Sequence, residues 1–175
     1  YFSQALRFRP KEDVWYRLRA MQLRDVDEYS WAHRDMQRAL QLEPQSGWNL
    51  YGMGLVLADM QGQGAARPYF QRAMEASETH EAAMAMYCQG FLIDSGASKD
   101  AGECTQKFIR TYPRNGEGWR QRAWFLANSG AAEHDVQTAV DQFIRHADSG
   151  NELHQAEAAK YKQQRQVQKQ TNERR

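Results

Sequence analysis

Ala32-His33-Arg34-Asp35-Met36-Gln37-Arg38-Ala39-Leu40-Gln41-Leu42-Glu43-Pro44 is the stretch on which the fold turns. Thirty-four residues later, Ala66, Phe70 and Ala73 occupy the places of Ala32, Met36 and Ala39. One step back, Phe2, Ala5 and Pro10 occupy the places of Met36, Ala39 and Pro44. A fixed period of this length marks a stack of like supersecondary units and decides the architecture before any local reading. Each unit is too short to bury its own apolar face, so it relies on its neighbours. Small residues at Ala20, Ala32, Gly54 and Ala66 let helix backbones approach, and Met36 and Phe70 fill the space beside them. An irregular bundle would not repeat three positions at one interval.

The pattern continues in both directions. From Asp13 to Ser46, Tyr16 takes an aromatic slot, Ala20 a small slot and Leu23 a later large one. From Gly47 to about His80, Leu50, Gly54, Ala66, Phe70 and Ala73 follow in the same order. Then Met84, Cys88 and Phe91 keep the first-helix spacing. Ala101, Phe108, Ile109, Tyr112 and Pro113 keep the second with a one-residue shift, which places an insertion near Ser95 to Ser98. A looser copy has Trp119, Ala123 and Leu126, then Val136, Val140 and Phe143.

This arrangement resembles the tetratricopeptide repeat, a 34-residue helix–turn–helix unit. The resemblance implies an all-α, right-handed superhelical solenoid of antiparallel helix pairs. It predicts a repeat domain over 1–148, with a partial repeat at 1–12 and repeats at about 13–46, 47–80, 81–114 and 115–148, and a polar C-terminal helix or tail over 149–175. The predicted helices are 1–9, 13–25, 30–42, 47–60, 65–77, 81–94, 99–111, 116–128, 133–147 and 150–172. In this family the first helices line a concave groove that binds a peptide or helix of a partner. The matching positions are Arg17, Met21 and Arg24, then Trp48, Tyr51 and Leu55, then Ala85, Gln89 and Leu92, then Arg120 and Trp124. Aromatics and arginines suit anchoring through large area and forked donors. The alternative for Trp48 and Trp124 is packing between repeats. Family members that clamp a terminal carboxylate use Lys, Arg and Asn in the groove. Arg17 fits one such slot, but Met21 stands where Asn is wanted and Gly52 replaces another, so that clamp is not predicted.

Composition agrees with a helical reading. Apolar residues make up 41% of the 175, and the net charge is +1. Helix formers dominate, and long β-branched runs are absent. No run of about 18 apolar residues occurs, so no membrane span is predicted. No signal-peptide pattern is visible, but the chain opens at Tyr1 in mid-repeat. Phe2, Ala5 and Leu6 lie on one face of a helix without its mate. Either a helix upstream in the natural protein covers that face, or self-association through this N-terminal helix does.

Asp25 to Ser30, Gln61 to Gly64, Asp94 to Ser98 and Asn128 to Ala131 read as turns, with Gly62, Gly96 and Gly130 as residues of positive φ. Pro68 is predicted in the first turn of a helix that begins near Gly64 or Ala65. Ser46, Thr79 and Ser149 are candidate N-caps, and Ser149 with Glu152 matches a capping box. The segment from Asn151 on carries six Lys or Arg against three Glu, a net +3, leaving −2 for residues 1–150. It reads as a polar capping helix or as a basic arm for an acidic partner or nucleic acid.

Chemical motifs are sparse. His33, His80, His134, His146 and His154 never fall four apart, and they read as surface or turn residues. Cys88 and Cys104 form no metal spacing. They are expected as reduced core thiols. The alternative is a disulfide between paired helices, which would argue for an oxidising compartment. The glycines match no phosphate loop. No catalytic residue, metal or cofactor is predicted.

The expected function is therefore a non-catalytic scaffold or adaptor, an assembly or chaperone-like module of a larger protein, whose partner is a protein or peptide in the concave groove. Alternatives are a nucleic-acid-associated repeat acting through the basic tail, or an accessory domain of an enzyme. Nucleic acid is disfavoured because the first 150 residues are slightly acidic, without a basic stripe. A cytoplasmic location is favoured over a periplasmic or secreted one.

Overall fold

Short turns set between apolar-periodic segments leave each helix one way to bury its face: folding back on its predecessor. The computed structural model describes residues 11–173, with side chains described through residue 164. The elements are α1 (Asp13–Asp25), α2 (Tyr29–Leu42), α3 (Gly47–Gln61), α4 (Gln63–Ala73), α5 (His80–Ser95), α6 (Lys99–Thr111), α7 (Gly116–Asn128), α8 (Glu133–His146) and α9 (Glu152–Glu173). No strand occurs among the described residues. The expected helix at 1–9 lies outside them, as do Phe2 and Leu6.

The chain divides after Asp94 into two units. In the first, α1 packs on α2, α2 on α3 and α3 on α4. Its core is Ala20, Ala32, Met36, Ala39, Met53, Val56, Leu57, Ala66 and Phe70. All four small residues expected at close contacts are buried. Gly54 shows why. A Cβ there would lie 2.5 Å from Cε1 of Phe70, inside contact distance, so the bare backbone makes room for the ring. The same logic sets one prediction. Ala66 is 0% exposed, so Ala66→Leu should overpack the stack and destabilise it by about 1–3 kcal/mol. An unchanged melting temperature would show that the repeat register is misassigned.

Polar groups tie the pairs together. Arg19 on α1 makes a two-pronged bond to Asp35 on α2, at 2.6 and 2.7 Å. Its pKa is raised, chiefly by that hydrogen bond. Buried Asn49 donates through Nδ2 to Asp13 Oδ2 at 2.8 Å and to the carbonyls of Ala39 and Glu43. It thereby ties the start of α1 to the end of α2. Ser46 caps α3 by accepting from the amide of Asn49, as expected.

In the second unit, α6 packs on α7 and α7 on α8. Ala123, Ala139 and Val140 form a core cluster with Trp119, Leu126, Val136, Ile144 and Tyr161 packed against it. Phe108 and Phe143 are fully buried. Ser98 caps α6 and Asn115 caps α7.

Gly62, Gly96 and Gly130 all have positive φ, as the turn reading requires. Five details differ from expectation. First, α4 ends at Ala73 instead of 77, because Thr79 Oγ1 donates to the carbonyl of Ala73 at 2.6 Å and holds the chain in a turn. Thr79 thus points back into the preceding helix, while its carbonyl accepts from the amide of Ala83 at the start of the next. Second, α4 begins at Gln63, so Pro68 lies in its second turn. Its ring opposes the Gly64 carbonyl, and both residues are exposed, so water can serve that acceptor. Third, Asn151 replaces Ser149 as the cap of α9. Its Oδ1 accepts from the amide of His154, and asparagine is among the best residues at that position. Fourth, His154 is buried, not a surface or turn histidine. Fifth, neither cysteine is a reduced thiol; both are disulfide-bonded. Burial of a cysteine carries no information about its oxidation state, and no motif marked this one.

Candidate binding surfaces

In the first unit, α3 brings Trp48 and Tyr51 together one helical turn apart. Their rings meet edge to face at 6.2 Å, and Tyr51 also leans on Phe70 at 5.8 Å. Trp48 is 42% exposed. Tyr51 is half-buried, and burial pushes its phenol up, opposed by the nearby positive charge of Arg24. Arg24 is itself ion-paired with Asp59. Met21 and Leu55 pack against the core beneath this cluster. Arg17, on α1, has its Nε buried without a hydrogen-bond partner. Gln89, on α5, is half-buried. Ala85 and Leu92 are half-buried on the same helix.

The second unit treats its two expected groove residues differently. Trp124 is 44% exposed. Arg120 is engaged: it forks onto Glu117 with two bonds of 2.7 Å and lies 3.8 Å from Glu157. Glu117 also accepts from Gln121 at 2.8 Å and meets His154 Nε2 at 2.9 Å. His154 Nδ1 faces the amide of Asp148 at 3.4 Å, and its ring stands edge-on to Phe143. With Nδ1 accepting, Nε2 carries the proton and donates to Glu117. Burial pushes the Glu117 carboxyl up. The bonds and charge of Arg120, with the bonds from His154 and Gln121, outweigh it and hold the group below its ordinary value. Arg120 is raised, mainly by its bond to Glu117.

This buried polar cluster fastens α9 to α7. Ala158 is buried and Tyr161 meets Phe143 edge to face, while Lys160 and Lys162 remain exposed. The first turns of α9 thus lie against α7 and α8. The sequence hinted at half of this, since Glu117, Arg120 and Gln121 share one helical face. The partnership with His154 had no local signature. An open cleft lined by Lys107, Arg110 and Arg122 also escaped the sequence reading. Among the described residues, no group of three His, Cys, Asp or Glu could hold a metal ion, and no helix is long and apolar enough to cross a membrane.

The helix pairs, small-residue contacts and 34-residue interval define the tetratricopeptide-repeat fold. Solved structures agree. A crystal structure of MamA superposes with a TM-score of 0.69 at 14% identity, covering 83% of this chain and 84% of that one. The Cut9-Hcn1 hetero-tetramer of APC/C gives 0.71 at 14% identity, covering 91% of this chain and 31% of that one. A tetratricopeptide repeat protein from Parabacteroides merdae gives 0.67 at 18% identity, covering 84% and 57%. No family model and no curated protein matches the sequence. At such identities the likeness establishes the fold.

Proposed function

We propose that the chain is a non-catalytic protein–protein interaction module that binds a segment of a partner on the first-helix face of its repeats. In the first unit this surface is centred on Trp48, Tyr51 and Arg17, with Met21, Arg24 and Leu55 around them. The observation that carries the reading is Trp48: a large ring held half in solvent against Tyr51, an arrangement that folding alone does not demand. Buried aromatic and arginine anchors supply a disproportionate share of interface energy. Arg17 adds a forked donor group of the kind that suits such anchoring. Trp124 is a second anchor, on the second unit.

A dodecamer library displayed on phage and selected against the protein supplies ligands for the test. Trp48→Ala with Tyr51→Ala should weaken the selected peptides by about thirtyfold, the equivalent of one hot spot of about 2 kcal/mol. Circular dichroism should show an unchanged helical fold. Lys160→Gln with Lys162→Gln should leave those affinities alone. If the lysine pair abolishes binding and the aromatic pair does not, α9 is the docking element and the surface reading fails.

A further inference from the structure

The second unit holds a separate feature that the first-helix surface does not use. Along α6, Lys99, Glu103, Gln106, Lys107 and Arg110 recur at helical spacing and form one wall of an open cleft of about 610 Å³. Arg122 and Phe125, from α7, form its floor. Gly102 makes the floor so close. A Cβ there would lie 2.6 Å from Cζ of Phe125, so the ring rests against the α6 backbone. The Arg122 guanidinium sits over that ring at 5.1 Å. Nη1 of Arg122 donates to the Gly102 carbonyl at 3.1 Å and reaches Thr105 Oγ1 at 3.4 Å, which fixes the group in place.

The charges in this cleft do not balance. Lys99 lies 3.7 Å from Glu103, and both are well exposed. No carboxylate of the described residues comes within ion-pair distance of Lys107, Arg110 or Arg122. Burial lowers the Arg122 pKa; Asp135 opposes this, and Arg110 reinforces it. Both arginines therefore face a shared space in which the charge of Arg110 disfavours that of Arg122. A bound anion would relieve that repulsion.

We propose that this cleft binds an acidic peptide segment, with a carboxylate seated between Arg110 and Arg122 and a second one near Lys107. Guanidinium forks match carboxylate geometry, and Arg122 is already held in position. The wall from Lys99 to Arg110 is about 16 Å long at the helical rise, roughly five residues of extended chain. A nucleic-acid strand fits less well. Glu103 interrupts the positive stripe, and a phosphate backbone rewards unbroken positive charge. The Phe125 ring is already occupied by Arg122 and α6, which leaves no open platform for a base to stack on.

The test uses fluorescein-labelled hexaglutamate, with hexaglutamine and hexathymidylate as comparisons. Hexaglutamate should bind the whole chain and should shift the Gly102 amide and the Arg122 Nε–H resonance. Hexaglutamine should not bind, and hexathymidylate should bind more weakly than hexaglutamate. Arg110→Gln, an exposed position that leaves the fold intact, should weaken hexaglutamate about tenfold, the scale of one lost charged hydrogen bond. Arg122→Gln should do at least as much. Lys160→Gln with Lys162→Gln should change nothing. The proposal falls if hexaglutamate shows no binding at millimolar concentration, if Arg110→Gln binds it as the parent does, if resonances of residues 160–164 shift in place of Gly102, or if hexathymidylate binds more tightly.

Discussion

Phe70→Ala is expected to destabilise the first unit by about 3–5 kcal/mol, the range for removing a large aromatic from a packed core. The ring is 1% exposed and touches both the Gly54 backbone and Tyr51. Gly54→Ala should destabilise by about 1–3 kcal/mol for the opposite reason, a methyl forced against the ring. The two changes should not add. With the ring gone, the added methyl enters the cavity, so the double variant should lose less than the sum of the singles. Amide hydrogen exchange in α3 and α4 reads this locally. Strict additivity would mean that Gly54 and Phe70 are not in contact as described.

Glu117→Ala should remove about 2–3 kcal/mol from the second unit. Truncating one partner of a buried ion pair leaves the other charge uncompensated. Here Arg120 and His154 both lose their hydrogen bonds to Glu117, though Arg120 keeps Glu157 at 3.8 Å and about a fifth of the Glu117 side chain is exposed, which moderates the loss. The cluster also sets an acid limb. Glu117 is lowered in the folded state from an ordinary value of 4.5. Its contribution is therefore complete above that value and is lost as pH falls through the lower folded pKa. Melting temperature followed from pH 7 down to about 3 should decline less steeply for Glu117→Gln than for the parent. Parallel curves for the two would show that Glu117 does not carry the titration.

The fold was legible because it repeats. The starts of α1, α3, α6, α7 and α8 fall where the period places them. So do the buried positions Ala20, Ala32, Gly54 and Ala66. What escaped was set by partners distant in sequence. The turn at Thr79 depends on a hydroxyl reaching Ala73. The start of α9 was narrowed to the right turn, but the capping-box pattern favoured Ser149 over Asn151 because the pattern is blind to the Asp148 carboxylate that holds Gly150. The surface residues were assigned to first helices by spacing, and spacing cannot show that Arg120 is spent on Glu117 while Trp124 is half-exposed. The cleft at Arg110 and Arg122 arises from two helices meeting, and it is invisible in either alone.

Gly62 is the whole connection between α3 and α4: one helix ends at Gln61 and the next begins at Gln63. A joint of one residue has no slack. Chain length cannot be added or removed there without rotating α4 about its own axis, and each inserted residue would turn its apolar stripe by about 100°. Ala66 and Phe70 would then leave the core together. Homologues that vary in length should accordingly place their extra residues elsewhere, in the more open turns at 75–78 or 129–132. A circular permutant or inserted tag that folds at those turns should fail at Gly62.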